Sequence, residues 1–197
     1  MLYPGKISKE YKRNISHKNR GMKLECLINL SNEYYLDNDI AIIYKKPTPL
    51  QICKVDYKKN LVTEGYYKTP STLDYNGIYR GKYIDFDAKE TLCKTSFPLS
   101  NIHDHQILHM RRIIKHGGIS FLIIKMNNLY YLLDGKIILE FIELNKRKSI
   151  PYSFIKEHGR LIKEGIRPAL DYIRTIEEIY FKEDLWKRQL IQKKLIK

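Results

Sequence analysis

The chain has 197 residues, 36 Lys and Arg against 22 Asp and Glu, and a formal net charge of +14, which suits one α/β-sized domain with a sizeable core and a polyanionic partner. Its longest apolar runs, 121–124 and 129–133, fall far short of the roughly 20 residues that a membrane helix needs. The polar opening MLYPGKISKEYKRN has no apolar signal region, and three widely spaced cysteines (Cys26, Cys53, Cys93) argue against a disulfide framework or zinc ribbon, so the chain reads as cytoplasmic with no membrane partner.

Residues 1–20 are polar, basic and aperiodic and read as a flexible arm ahead of a single domain over 21–197. A helix is predicted from Met22, with Leu24, Leu27, Ile28 and Tyr35 on one face and Ser31 among them. A short strand over 40–44 ends at Lys45-Lys46-Pro47-Thr48-Pro49, where two prolines forbid a helix. Residues 50–56 and 61–68 are extended segments flanking a basic tip at 57–60, a β-hairpin within about 45–70. Asn76-Gly77 reads as a turn before a strand over 83–91.

Pro98, Ser100 and Asn101 lead into a helix to about Lys115, stopped by Gly117-Gly118. Strands are predicted over 119–125, 129–133 and 137–144, with Asp134-Gly135 as the hairpin turn between the last two. The remainder, from Ile150, reads as mostly helical and basic, with Pro168 near the start of a long amphipathic segment. Residues 1–23 carry seven basic residues against one acid and 145–197 fourteen against seven, while 24–144 carry fifteen against fourteen. A near-neutral middle with basic ends suits a nucleic acid gripped around a balanced chemical centre.

That centre is predicted between Ser71 and Thr91. In Ile84-Asp85-Phe86-Asp87-Ala88-Lys89 apolar and charged residues alternate, so Asp85, Asp87 and Lys89 share one strand face. With Asp74 nearby, two carboxylates and a lysine match the needs of metal-dependent phosphodiester hydrolysis: acids to hold a divalent cation, an ammonium to offset transition-state charge. Asp87 pairs with Lys89 one strand period away and is preferred to Asp85 as the ligand. In the next helix Gln106 interrupts the apolar stripe of Ile102, Met110 and Ile113, either as a satisfied buried amide or as an amide aimed into the site.

Glu25, on the shoulder of the first helix's stripe, either reaches the site or is a surface acid. His105 and His109 have the i,i+4 spacing of a helical zinc pair, but Gln106 stands where a catalytic Glu would follow, and solvated or DNA-facing histidines are the plainer reading. No GxxxxGK[ST] loop and no Ser/His/Asp order supports nucleotide hydrolysis or acyl transfer.

The stretches KKPTPLQICKVDY (45–57), STLDYNGIYRGKYIDFDAKET (71–91), TSFPLSNIHDHQILHM (95–110), GGISFLII (117–124) and RKSIPYSFIKEHG (147–159) closely resemble the RecU-type Holliday junction resolvases, members of the PD-(D/E)xK nuclease superfamily. The resemblance implies an α/β fold, a mixed β-sheet flanked by helices in a restriction-endonuclease-like core, with the hairpin as a protruding stalk. It implies metal ligation by Thr72, Asp74, Asp87 and Gln106, and a transition-state lysine at Lys89. Mg2+ is the implied cofactor, with Mn2+ as a substitute. The family pattern has glutamate where this chain has Asp87, whose shorter arm would draw the cation toward the strand.

The expected activity is therefore Mg2+-dependent, paired, symmetric cleavage of four-way DNA junctions in recombination and repair, by a homodimer. Lys45, Lys46, Lys54, Lys58 and Lys59 are the expected DNA contacts, and the RecA recombinase is a further expected partner. Two other readings stand beside it: a non-catalytic junction-binding or strand-annealing modulator of RecA, and a restriction-like nuclease of ordinary duplex.

Overall fold

The apolar stripe that opens the domain forms helix α1 (Leu24–Asp37), which buries Leu24, Leu27, Ile28, Ser31 and Tyr35. The computed structural model describes residues 23–68 and 72–182; the expected arm over 1–20 and the basic C-terminal segment from 183 lie outside them. Strand β1 (Ile42–Lys45) follows, then the hairpin β2 (Leu50–Asp56) and β3 (Leu61–Tyr67), which pair only with each other. Strands β4 (Tyr75–Tyr79) and β5 (Lys82–Glu90) come next. A short strand β6 (Ser96–Pro98) leads to helix α2 (Asp104–Lys115), then β7 (Ile119–Met126) and β8 (Leu129–Asp134).

Helix α3 (Gly135–Leu144), strand β9 (Ser149–Pro151), helix α4 (Tyr152–His158), strand β10 (Arg160–Leu161) and helix α5 (Tyr172–Tyr180) complete the described chain. The main sheet has the order β1-β4-β5-β7-β8-β10. Only β5 and β7 run parallel, joined by the crossover through α2; the other neighbours are antiparallel, and the sheet is mixed. The expected mixed sheet flanked by helices is the fold observed.

Each sheet face has its own core. Ile84, Phe86, Phe121 and Ile123 face α1 and α5, where they meet Leu27, Ile28, Tyr172 and Ile176. Leu122, Ile124 and Leu133 face α2, α3 and α4, where they meet Met110, Ile138, Phe141 and Ile155. The two-residue period of β5 therefore sends its apolar residues to the first core and Asp85 and Asp87 toward α2. Tyr75, Phe86 and Phe121 stack in a column across three strands, with ring centroids 4.8 and 4.7 Å apart.

Three expectations need correction. Residues 137–144 are helical: the Asp134 side chain accepts a hydrogen bond from the Lys136 N–H at 2.8 Å and caps α3, so Asp134-Gly135 begins a helix instead of turning a hairpin. Asn76-Gly77 lies inside β4, and the turn into β5 is at Arg80-Gly81, where φ is 50° and 74°. Gly77 serves close strand approach, since a Cβ there would lie 2.0 Å from the Ile42 carbonyl oxygen. Beyond Ile150 the described chain holds two helices, α4 and α5, separated by short extended and irregular segments rather than one long helical run.

The hairpin stands away from the main sheet. Every residue of β3 is exposed, and so is most of β2. At its tip the Asp56 carboxylate accepts hydrogen bonds from the N–H groups of Lys58 and Lys59 at 3.0 and 3.2 Å, and Asn60 takes the left-handed conformation with φ 55°.

Candidate active site

Asp87 lies at the centre of β5 with no solvent exposure. Its Oδ1 accepts a hydrogen bond from the Ala88 N–H at 2.7 Å. Its Oδ2 accepts one from Gln106 Nε2 at 2.5 Å and lies 2.9 Å from the Lys89 ammonium. Burial pushes the Asp87 carboxyl up to about 6; the Lys89 charge opposes this and the neighbouring Asp74 carboxylate adds to it. Asp74 itself is exposed, one residue ahead of β4, and Thr72, two residues before it, is half-buried.

Gln106 occupies the third position of α2 and is buried. Its Oε1 accepts from the His103 N–H at 3.0 Å, which caps the helix, while its amide nitrogen donates to Asp87. The interruption of the apolar stripe thus has both a structural and a site-facing cause. The crossover β5-α2-β7 brings the amide over the strand, because α2 packs on the same sheet face that Asp87 occupies.

One turn along α2, His109 repeats the arrangement over Asp85. Asp85 is fully buried, and its Oδ2 accepts from Lys46 Nζ at 2.6 Å and from the Tyr83 hydroxyl at 2.7 Å, with His109 Nε2 at 3.4 Å. One oxygen of this carboxylate is thus already engaged by a lysine and a phenol hydroxyl, while its Oδ1 is buried without a hydrogen-bond partner among the described residues. The cluster was not legible as such in the sequence. Lys46 lies thirty-nine residues away, and only the i,i+3 spacing of Gln106 and His109 against the i,i+2 spacing of Asp87 and Asp85 hinted at it.

The expected DNA contacts divide. Lys45 pairs with Glu25 at 2.6 Å on the surface, so Glu25 meets a lysine there. Lys54 pairs with Glu64 across the hairpin at 2.5 Å. Lys46 turns inward to Asp85, while Lys58 and Lys59 are exposed at the hairpin tip. His103 and His105 stack on each other, and among the described residues no group of three or more His, Cys, Asp or Glu is placed to hold a metal.

A divalent cation nevertheless fits the Asp74–Asp87 side of β5. The buried Asp87 carboxylate and the neighbouring Asp74 carboxylate set two negative charges against the one ammonium of Lys89. The oxygen donors there, two carboxylates with the Thr72 hydroxyl two residues from Asp74, are of the hard type that suits Mg2+, while Gln106 turns its amide nitrogen toward Asp87.

The Recombination protein U family model matches residues 19–178. The chain is 52% identical to the Holliday junction resolvase RecU of Bacillus cereus strain G9842, over 84% of this chain and 87% of that one. It is 53% identical, with the same coverage, to the Holliday junction resolvase RecU of Bacillus thuringiensis strain Al Hakam. Among solved structures, Hjc from Archaeoglobus fulgidus, a Holliday junction resolvase, aligns with a TM-score of 0.38 and 8% identity, covering 68% of this chain and 94% of that one. This chain belongs to the Recombination protein U family. Among its described residues no helix is long and apolar enough to cross a membrane.

Proposed function

We propose that this chain is a Holliday junction resolvase, an endonuclease that cuts four-way DNA junctions at the Asp74–Asp87–Lys89 centre with Mg2+ as cofactor. The observation that carries this reading is the buried Asp87, short of positive charge and touched by both Lys89 and Gln106, in a chain more than half identical to curated resolvases. Asp74 and Asp87 would hold the cation with the Thr72 hydroxyl, and Gln106 would join them by giving up the His103 N–H that its oxygen accepts from in the metal-free chain. Mn2+ is the natural substitute. When bound, the cation supplies Lewis-acid polarisation of a phosphoryl oxygen and a water more easily deprotonated at neutral pH.

The chain's own groups do the rest. Lys89, 2.9 Å from Asp87, carries an ammonium to the place where negative charge grows on the phosphoryl oxygens. Gln106 fixes the rotation of the Asp87 carboxylate by bonding one oxygen while its other end is held by the α2 cap. Lys58 and Lys59 at the exposed tip of β2–β3 bring positive charge to a junction centre, where phosphates of four arms converge.

A homodimer would present two equivalent sites to the two strands that a symmetric resolution must cut. The site of action is the cytoplasm, and the RecA recombinase is a candidate partner there. The deciding experiment incubates a mobile synthetic four-way junction with the protein, with and without Mg2+, in competition with linear duplex. Paired symmetric cuts with 5′-phosphate and 3′-hydroxyl ends, dependent on Mg2+ and not suppressed by duplex, are expected. Junction binding with no cutting would favour a non-catalytic RecA modulator, and equal cutting of duplex a restriction-like nuclease.

A further inference from the structure

Lys46 makes two bonds that no other described residue of the hairpin makes. Its N–H donates to the Asp74 carbonyl at 2.7 Å, and its ammonium lies 2.6 Å from the buried Asp85 carboxylate. One residue therefore spans from the segment carrying Asp74 to the strand carrying Asp87. We propose that Lys46 is a positioning residue for the nuclease site: it clamps the two acid-bearing segments at the spacing a divalent cation needs and ties that spacing to the root of the hairpin. The inference rests on the metal-dependent reading of Asp74 and Asp87 given above.

The surroundings favour a clamp over a simple stabilising pair. A buried ion pair beside tightly packed apolar side chains gains little over hydrophobic packing of the same volume, because desolvation offsets its attraction. Asp85 nevertheless has no exposure, and its Oδ2 accepts from Lys46 and from Tyr83, with His109 Nε2 3.4 Å away, so Lys46 is the donor that reaches it from outside β5 and α2. Lys46 also precedes Pro47, which confines its backbone to extended conformations and so fixes the direction of its N–H. Just beyond, the Pro49 carbonyl accepts from the Lys68 N–H at 3.0 Å and closes the two legs of the hairpin. The second leg runs on in sequence to Thr72 and Asp74. Both legs thus end at the expected ligands, one through covalent chain and one through Lys46.

The test compares the full-length parent with Lys46→Met, Lys46→Arg and the double variant Lys46→Met/Asp85→Asn. Mn2+ binding is measured by calorimetry without DNA, alongside thermal stability, the salt dependence of junction binding, and junction cleavage. Lys46→Met is expected to weaken Mn2+ binding and slow cleavage by roughly 10- to 100-fold, the usual cost of losing a residue that orients metal ligands, with the salt slope unchanged. Lys46→Arg, which keeps a donor toward Asp85, should restore most of both. The double variant removes the orphaned charge and should regain thermal stability while Mn2+ binding stays weak.

Recovery of Mn2+ affinity in the double variant would show a pair that merely stabilises the fold and would overturn the proposal. A salt slope lowered by about one in Lys46→Met would overturn it too, by making Lys46 a phosphate contact. If the parent binds Mn2+ and the variants rank as expected while no junction is cut, the resolvase reading fails and the positioning role stands. A parent that binds no Mn2+ overturns both.

Discussion

Asp85 and Asp87 stand two residues apart on one face of β5, both without solvent exposure, yet their surroundings differ in kind. Asp85 is met on one oxygen by an ammonium and a phenol hydroxyl, with an imidazole 3.4 Å away, and its other oxygen has no hydrogen-bond partner among the described residues. Asp87 also has an ammonium, but burial, and less strongly the neighbouring Asp74 carboxylate, holds its carboxyl up to about 6 against the pull of that charge. The same residue type at the same depth is in one case balanced and in the other left negative. Burial alone does not mark a metal ligand; the residual charge around it does.

The strongest way to break this comparison is to neutralise each acid in turn. Asp87→Asn should lower junction cleavage by roughly 10³-fold or more through loss of cation binding. It should also raise the melting temperature of the metal-free protein at pH 8, because a disfavoured buried charge is removed. Asp85→Asn should differ: a smaller loss of cleavage, roughly 10- to 100-fold as for a residue that supports ligands without being one, and a lower melting temperature because Lys46 loses its counter-charge. Cleavage assays and thermal melts on the two variants decide, and equal behaviour would erase the distinction.

Lys89→Ala comes next. Removing one preorganised cation should slow cleavage about 10²-fold or more at saturating Mg2+, with junction affinity held. A single-turnover rate on pre-bound junction measures it, and parental cleavage would mean that Lys89 only balances Asp87. Gln106→Leu should cost roughly tenfold in cleavage by freeing the Asp87 carboxylate. Its melting temperature should hardly move, since the lost cap toward His103 is offset by apolar contact with Met110. A large drop in stability with unchanged cleavage would return Gln106 to a purely structural role.

The smallest effect sharpens the comparison through pH. The folded carboxyl of Asp87 is raised, so its contribution favours the metal-free fold fully below the ordinary carboxylate range, near 4. That contribution is lost as pH rises through about 6. A cation competes with the same proton, so stabilisation by Mg2+ should be slight at pH 5 and grow through pH 6 to 7. Melting curves with and without Mg2+ across that range check the sign. Stabilisation that shrinks as pH rises would place the cation elsewhere.

Much of this site is written in local sequence. The alternation of β5 announces which acids share a face, because strand period is a backbone property that tertiary packing did not alter here. Gln106 stands out because a single amide breaks an apolar helical stripe. The ion pair of Lys46 with Asp85 is not legible, since it depends on how β1 and β4 bring the hairpin root beside β5. Helix α3 misled for a physical reason: Ile137, Ile138 and Ile142 are β-branched, and Asp-Gly serves equally as a hairpin turn and as a cap followed by a first helical residue. The spacing of Ile138, Phe141 and Ile142 carries the helical period that packing on β7 and β8 selects. Asn76-Gly77 misled because glycine also answers the need for close strand approach.

The hairpin β2–β3 packs neither face against the core and is held at its root. Its length is therefore a free variable: two residues added to each strand would extend it by about 7 Å without disturbing a single core contact. An unmatched single insertion would instead exchange its two faces and carry the tip lysines to the other side. Reach and foldability are thus inherited separately, and the depth to which this arm probes a branched DNA can change while the cutting centre beneath it is conserved.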